Sequence, residues 1–226
     1  MLLLVQLWQF MLDPANAFLD HTLAYLQVCA VSVILATLLG IAIGVAVVRS
    51  PLLSFIAVNL SGLMRAIPII AFLAAALPYL GVGFKPTVVA LTLLGIPPIL
   101  LNTYTGIRSI ETAIIDAARG MGLNTRQILL RIQVPLVLPI VAAGVRTSAV
   151  QIVATATLAA IIGAGGYGEY IINGLYEFKT VQILAGALPV AALAMLVELL
   201  MGWLQRALTP PGLRVQEQAL SEAARA

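Results

Sequence analysis

The stretch Asp116–Pro135 reads DAARGMGLNTRQILLRIQVP, a polar, arginine-bearing interruption of a chain that is otherwise almost continuously apolar. Of the 226 residues, 62% are hydrophobic and only 9% are charged. A soluble globular protein carries charge on about a quarter of its residues, so the composition indicates an integral membrane protein. The net charge of +3 comes without a long basic run, which argues against a nucleic-acid binder.

The interruption has the pattern of two short helices. Apolar residues recur at helical spacing over residues 109–121, Ser109 is a candidate cap for their helix, and Gly122 is a natural stop. Asn124 or Thr125 can cap a second helix, which Pro135 is expected to end. Neither helix is long enough to cross a bilayer, so the interruption is predicted to be a loop exposed to water.

Five apolar segments are long enough to supply the roughly 20 residues that a membrane crossing requires. The second of them, Leu53–Leu80, is interrupted by Arg65 and Pro68. The first carries Ala36, Gly40 and Gly44 at four-residue steps, a small-residue face that favours close helix packing. The segments are Thr22–Val48, Leu53–Leu80, Pro86–Ile107, Pro139–Ile162 and Val181–Leu204. The predicted fold is therefore an all-α integral membrane protein with about five transmembrane helices in one domain over residues 1–226. This domain divides into an N-terminal interfacial segment (1–18), in which Met1–Leu12 is predicted to be a short interfacial or packing helix, a core (19–207) and a polar tail (208–226).

Basic residues give the predicted orientation, because cytoplasmic loops of membrane proteins are enriched in them. With the Asp116–Pro135 stretch inside, only Lys85 and Lys179 fall outside. The arginines assigned to the cytoplasmic side are Arg49, Arg108, Arg119, Arg126, Arg131, Arg206, Arg214 and Arg225. Five spans then place the N-terminus outside and the C-terminus in the cytoplasm, where Val215–Ala226 is a candidate surface helix.

Two motifs are considered and rejected, and no resident cofactor or metal is expected. Gly163–Gly168 satisfies G-x-G-x-x-G, but a spanning helix precedes it and no acidic residue follows at the distance that dinucleotide binding requires. The glycines are instead predicted to form a sharp turn at the outer end of the fourth span. No G-x-x-x-x-G-K-[ST] pattern occurs, so the chain is not expected to bind ATP in the P-loop manner, and any energy for its activity must come from a partner. Cys29 and His21 lack the spacing of a metal or disulfide site and are predicted to be structural.

The interruption resembles the "EAA" loop of permease subunits from binding-protein-dependent ABC importers. The family pattern is E-A-A, three residues, G, nine residues, then I-x-L-P; Asp116 and Val134 replace the glutamate and the leucine. The resemblance implies a type I ABC importer permease fold, in which this loop inserts a coupling helix into a cytoplasmic ATPase. The expected coupling residues are Asp116, Ala117, Ala118, Gly122, Arg126, Ile132 and Pro135.

The family resemblance also implies a set of partners. They are a cytoplasmic ATPase dimer that holds ATP and Mg²⁺, a second permease subunit, identical or related, and an extracytoplasmic substrate-binding protein. The implied location is the bacterial inner membrane. The chain itself is expected to be a transport subunit rather than an enzyme.

Further runs are similar to the osmoprotectant branch of this family, the permeases for glycine betaine, carnitine or choline. They are Met64–Pro68, Leu91–Thr92, Pro97–Leu100, Asn102–Gly106, Ala117–Gly122, and Ala154–Ala160 leading to Gly163–Gly166. An importer of the same fold for an amino acid or another small solute remains an alternative. A channel or carrier without an ATPase is a third, but mid-membrane acids and paired repeats are missing from the sequence. A scaffold without transport activity would not need the EAA spacing.

Three further sets of residues are singled out. Pro97 and Pro98 with Asn102 and Tyr104 indicate either a bent helix along the pathway or helix packing, and Gln151, Thr155 and Thr157 indicate either a pathway face or interhelical hydrogen bonds. Arg65, Arg146 and Glu198 lie in or near apolar segments and are predicted to find ionic partners. The spans are poor in aromatics, so Tyr167, Tyr170, Tyr176 and Phe178 are predicted to form an external docking surface for the binding protein.

Overall fold

The computed structural model describes residues 2–210, and every regular element within them is helical. The helices are α1 (Leu2–Leu12), α2 (Phe18–Val47), α3 (Pro51–Ala66), α4 (Ile69–Leu80), α5 (Phe84–Arg108), α6 (Thr112–Gly120), α7 (Thr125–Ile128), α8 (Val134–Thr155), α9 (Tyr167–Tyr176) and α10 (Thr180–Leu208). A π-helical turn (Leu129–Gln133) precedes α8, and a 3₁₀ helix (Ala156–Ile162) follows it. The predicted surface helix Val215–Ala226, with Arg214, lies outside the described residues.

Among residues 2–210, four helices are long and apolar enough to cross a membrane: α2, α5, the helix from Thr125 to Ile162, and α10. The predicted second span is instead two helices, because α3 and α4 are bent by 94° relative to each other. Ile67 is extended (φ −74°, ψ 121°), since a proline disfavours helical backbone in the residue before it, and Pro68 has no N–H to donate. The prediction of about five spans is confirmed when this bent pair counts as one.

The close contact in the middle of the bundle is between α2 and α5. A Cβ atom at Gly40 would lie 2.8 Å from Cβ of Ile99, and one at Gly44 would lie 2.7 Å from Cβ of Thr103. Both helices advance by four residues between these contacts, so they run parallel. The predicted small-residue packing face is confirmed, because only glycine permits this approach.

The Asp116–Pro135 stretch and the ends of several helices gather at one end of the bundle. Helix α8 runs antiparallel to α5, since Gly106 faces Ile140 and Gly95 faces Ser148. Arg49 at the end of α2 lines one cavity with Leu129, and Arg206 near the end of α10 lines another with the start of α8. The arginines of this end are Arg49, Arg108, Arg119, Arg126, Arg131 and Arg206. Lys85 and Lys179 lie at the opposite end, so the basic residues are asymmetric in three dimensions as well as in sequence. Assignment of the arginine-rich end to the cytoplasm stays a prediction.

The glycine run after the 3₁₀ helix reverses the chain at the opposite end. Gly163, Gly165 and Gly166 have φ values of 70°, 77° and 83°. A Cβ atom at Gly166 would also lie 2.9 Å from Cδ2 of Tyr25, so this position needs glycine for space as well as for its left-handed backbone. The predicted sharp turn is confirmed, and it returns α9 to pack against α10.

Candidate functional site

The turn between α6 and α7 is closed by hydrogen bonds on both sides. Gly122 has φ 81°, its N–H donates to the Arg119 carbonyl (2.9 Å), and the Leu123 N–H donates to the Ala118 carbonyl (3.2 Å). This is a Schellman motif, in which a left-handed residue lets the chain satisfy the last helical carbonyls. The predicted stop at Gly122 is confirmed.

Helix α7 begins with a capping box. The Gln127 N–H donates to Oδ1 of Asn124, and the Asn124 N–H donates to Oε1 of Gln127, both at 2.9 Å. Asn124 is thus the cap rather than Thr125. Since the Schellman motif ends at Leu123, the two helices are separated by a short turn with defined geometry. The sequence order of stop and cap therefore specifies the direction in which α7 leaves α6.

Two predicted boundaries of this segment are wrong. Ser109 does not cap α6; it ends α5, and its hydroxyl donates to the Gly106 carbonyl (2.9 Å), while α6 begins at Thr112 after the extended Glu111. Pro135 does not end the second helix either. In the π-helical turn the Val134 N–H donates to the Leu129 carbonyl, five residues back, and this wider turn accommodates a proline that cannot make the usual bond. The loop therefore continues without a break into a spanning helix.

The predicted coupling residues divide into an inner and an outer set. Ala118 is completely buried, whereas Asp116, Ala117, Gly122 and Arg126 are exposed. Asp116 and Arg119 form an exposed ion pair (3.3 Å), and such pairs contribute little stability. Met121 is 73% exposed. Ile132 and Pro135 are half-buried on the continuation into α8. The outer set therefore presents a helix end and a turn that the described part of the chain leaves uncovered.

The predicted pathway residues occupy different environments. Pro97 and Pro98 are buried inside the subunit, so their rings do not reach its surface. Asn102 is half-buried, donates to the Pro98 carbonyl (2.8 Å), and lies against Gly144 of α8. Arg108 lies 5.9 Å from the ring of Tyr104. Gln151, Thr155 and Thr157 are half-buried. Pro97, Pro98 and Asn102 thus take part in helix packing within the subunit. The assignment of the predicted pathway residues to a pathway stays a prediction.

The predicted external aromatic surface is wrong for two of its four members. Tyr167 and Tyr170 are each 5% exposed; their hydroxyls donate to Oγ1 of Thr22 (2.9 Å) and to the Asn16 carbonyl (2.5 Å). They are buried because α9 folds back onto α2. Tyr176 and Phe178 are 80% and 92% exposed, so the docking prediction continues with this pair alone.

Tyr167 and Tyr170 belong to an aromatic cluster that the sequence analysis missed. The Phe18 and Tyr170 rings stack with centroids 6.0 Å apart, and Tyr25 lies 5.0 Å from Tyr167 and donates its hydroxyl to the Val153 carbonyl. Phe18 and Tyr25 are seven residues apart and therefore lie on one face of α2. This spacing in the sequence could have indicated the aromatic cluster. Burial, with a smaller effect of the Glu169 carboxylate, raises the pKa of Tyr170 to about 12.

Helix α1 joins this cluster, as Phe10 meets Tyr170 edge-on at 5.5 Å. The N-terminal segment is therefore a packing helix, and its predicted interfacial position is untested. The His21 ring lies 4.7 Å from that of Tyr170 and its Nδ1 lies 3.7 Å from Glu169. Over residues 2–210 no group of three metal-ligating side chains is found. His21 therefore packs against the aromatic cluster, and its structural role stays a prediction.

Arg65, Arg146 and Glu198 were predicted to find ionic partners, and the prediction is confirmed for the last two. Arg146 on α8 pairs with Glu198 on α10, and it also donates to Oε1 of Gln205 (3.4 Å). The pair joins two spanning helices, in agreement with the predicted structural ion pair. Arg65 does not take part in it and is exposed at the last turn of α3.

Comparison with known proteins gives concordant matches along the chain. Residues 36–211 match the family described as "Binding-protein-dependent transport system inner membrane component". The carnitine transport permease protein OpuCB of Listeria monocytogenes is 36% identical, covering 91% of this chain and 94% of that protein. The choline transport system permease protein OpuBB of Bacillus subtilis (strain 168) is 34% identical over 91% and 95%. The osmoprotectant import permease protein OsmW of Salmonella typhimurium is 34% identical over 91% and 98%.

Solved structures show the same fold. An inward-facing structure of the MetNI methionine ABC transporter superposes with a TM-score of 0.75 at 22% identity, covering 88% of this chain and 99% of that one. An amino acid ABC transporter solved with histidines gives a TM-score of 0.70 at 15% identity over 87% and 96%. At these identities the likeness establishes the type I importer permease fold and says nothing about the solute.

Proposed function

The chain belongs to the binding-protein-dependent transport system inner membrane components, and we propose that it forms, with a second permease subunit, the pathway of an ATP-driven importer for quaternary ammonium osmoprotectants such as glycine betaine, carnitine or choline. The observation that carries this proposal is the similarity at about one third identity to carnitine, choline and osmoprotectant permeases along nine tenths of both chains. The structural neighbours named for methionine and histidine share the fold at lower identity and do not favour an amino acid.

Energy enters this system through the turn between α6 and α7. We propose that the ATPase dimer, which holds ATP and Mg²⁺, binds the outer set formed by Asp116, Ala117, Gly122 and Arg126. The exposed Met121 adds an apolar contact at the tip. Since α7 continues through the π-helical turn into α8, a movement imposed on the turn is transmitted to a spanning helix without a flexible linker. This continuity supports a mechanical role for the segment.

The binding protein is proposed to dock at the opposite end, where Tyr176 and Phe178 project. Phe178 has φ 56°, an unfavourable backbone for a side chain with a Cβ, and its ring is 92% exposed. Large exposed aromatics are frequent anchors of protein interfaces. In this proposal the docking surface and the coupling turn lie at opposite ends of the bundle, the multi-pass chain lies in the bacterial inner membrane, and the arginine-rich end faces the cytoplasm.

The proposal is tested by reconstitution. Permease, its ATPase and its binding protein are placed in proteoliposomes, and ATP-dependent uptake of labelled glycine betaine, carnitine and choline is measured against methionine and histidine. Uptake that needs both the binding protein and ATP, and that is confined to the quaternary ammonium solutes, is the expected result. Uptake of an amino acid instead, or uptake without ATP, would reject the substrate class or the importer assignment respectively.

A further inference from the structure

The elbow between α3 and α4 exposes broken backbone within a segment of membrane-spanning composition. Ala66, Ile67 and Pro68 are all exposed, and the two helices diverge by 94° at this point. Irregular backbone does not face lipid, because its unpaired N–H and C=O groups find no partner in hydrocarbon; it is tolerated against protein or a water-filled cavity. At the depth of the hydrocarbon core, such an elbow would have to face the pathway or a partner subunit and not lipid.

Arg65, which has no ion-pair partner among the described residues, lies next to the elbow. Arg65 is exposed at the end of α3, and within residues 2–210 it belongs to none of the ion pairs. A charged side chain in a membrane segment faces a wet cavity or an ionic partner, since lipid solvates it poorly. Arg146, in contrast, has Glu198. Arg65 is thus a guanidinium without a counter-ion in the described part of the chain, next to the elbow.

A small cavity of about 140 Å³ opens at the elbow. Its lining includes Met64, Ile67 and Phe72 from the elbow and Leu93 and Leu94 from α5. In another protein an apolar cavity of roughly 150 Å³ holds one benzene molecule, so the volume suits a compact apolar group. Arg65 is not part of the lining, but it follows Met64 directly and comes two residues before Ile67, so its backbone lies at the rim of the cavity.

The proline pair of α5 changes the chemistry of this lining. A proline at position i cannot donate to the carbonyl four residues earlier, so Pro97 and Pro98 deprive the carbonyls of Leu93 and Leu94 of their helical donors. These are two residues of the lining. Backbone carbonyls and the face of an aromatic ring such as Phe72 both attract a positively charged group that has no hydrogen to donate.

We propose that the elbow cavity is a low-affinity transit site for zwitterions that carry a trimethylammonium group and a carboxylate. The methylated head occupies the cavity against Phe72, with the two freed carbonyls nearby, and the carboxylate is met by Arg65. The inference rests on the proposed function and adds a preference to it: glycine betaine and carnitine fit both halves of the site, whereas choline has no carboxylate for Arg65. The proposed site also gives Pro97 and Pro98 a role through the carbonyls that they leave without helical donors, although the proline rings themselves are buried.

The first experiment tests access and occupancy without transport. In a Cys29→Ala background, Ile67→Cys in the assembled complex is treated with a water-soluble maleimide, and Leu199→Cys, 66% exposed on α10, is the control. Ile67→Cys is expected to react and Leu199→Cys is not. Glycine betaine at tens of millimolar is expected to slow the reaction of Ile67→Cys, choline less so, and glycine not at all. An unreactive Ile67→Cys, or a rate that glycine betaine leaves unchanged, overturns the proposal.

The second experiment uses uptake in the reconstituted complex. Phe72→Leu keeps an apolar side chain but removes the ring, and Phe55→Leu makes the same change at an α3 position that is 68% exposed and outside the cavity lining. Loss of one aromatic face corresponds to a roughly 2- to 30-fold rise in the half-saturating concentration at the transit step, seen as slower glycine betaine uptake by Phe72→Leu alone. Equal uptake by the two variants contradicts the site.

Arg65→Gln separates the two halves of the proposed ligand. Removal of a charge-assisted contact is expected to slow uptake of glycine betaine and carnitine roughly tenfold and to leave choline uptake unchanged, with Arg49→Gln as the matched arginine control. An equal loss for choline means that Arg65 acts on folding or coupling and refutes the carboxylate contact. If the wild-type complex imports none of the three solutes, the proposed function fails; if it imports them and these variants behave like their controls, only the transit site fails.

Discussion

Replacement of Gly122 by valine is expected to uncouple the ATPase while the permease still inserts into the membrane. Gly122 has φ 81°, and no atom outside its immediate chain neighbours lies within 4 Å of the Cβ that a substitution adds. The effect is therefore conformational and not steric. A non-glycine residue in left-handed backbone costs about 1–3 kcal/mol, with β-branched residues at the unfavourable end. A cost of about 2 kcal/mol lowers the fraction of turns in the docking geometry roughly 30-fold.

Gly120→Val provides the matched control. Gly120 ends α6 two residues earlier and is equally open, but its φ is not positive. The assay compares ATPase affinity for detergent-solubilised permease, and then ATP hydrolysed per solute imported in proteoliposomes. We expect wild-type insertion for both variants and weakened ATPase binding for Gly122→Val alone. Coupling of Gly122→Val equal to that of Gly120→Val would refute the claim that the Schellman turn sets the docking direction.

Three further predictions concern orientation, packing and selectivity. In a Cys29→Ala background, a cysteine at Asn124 is expected to react with an impermeant thiol reagent only after the cells are opened, and one at Glu177 in intact spheroplasts; the reverse pattern would invert the topology. Gly40→Ala is expected to destabilise the protein by about 1–3 kcal/mol in thermal unfolding, because the added Cβ would lie 2.8 Å from a neighbouring side chain, whereas Gly62→Ala, which meets no atom within 4 Å, is expected to be harmless. Calorimetry of permease and ATPase without binding protein is expected to give a glycine betaine Kd of millimolar or weaker, since aromatic faces worth about 0.5–2 kcal/mol each are dispersed in the spans. A micromolar value would place the selective site inside the helices.

The sequence predicted the coupling turn better than its flanks, for a local reason. Gly122, Asn124 and Gln127 act through hydrogen bonds to backbone a few residues away, so their spacing alone specifies a stop followed by a cap. The flanks failed because their outcome depends on competing partners. Ser109 bonds backward to α5 instead of forward to α6, and the π-helical turn accommodates Pro135 in place of a break.

The aromatic residues near the outer end illustrate the opposite case. Tyr167, Tyr170, Tyr176 and Phe178 were predicted to act together because they are aromatic residues in one short segment. Two of them are buried and two are exposed. The difference arises because α9 folds back onto α2 and covers only its own first turn, where Tyr167 meets Tyr25. Such a contact joins residues more than 140 positions apart, and no periodicity in either helix reports it.

By itself, the sequence determined the membrane class, the positions of the long helices, the small-residue packing face of α2 and the stop at Gly122, because hydrophobic length, helical period and backbone chemistry are local properties. Only the tertiary structure decided which ionisable residues are paired, since Arg146 reaches Glu198 across two helices while Arg65 reaches no carboxylate among the described residues. It also decided that Pro68 breaks a span into two helices at 94°, whereas Pro97 and Pro98 stay within one helix. The physical reason is that a proline only removes a backbone hydrogen bond and biases its neighbour. The surrounding helices decide whether that loss becomes a bend between two helices or is accommodated within one helix.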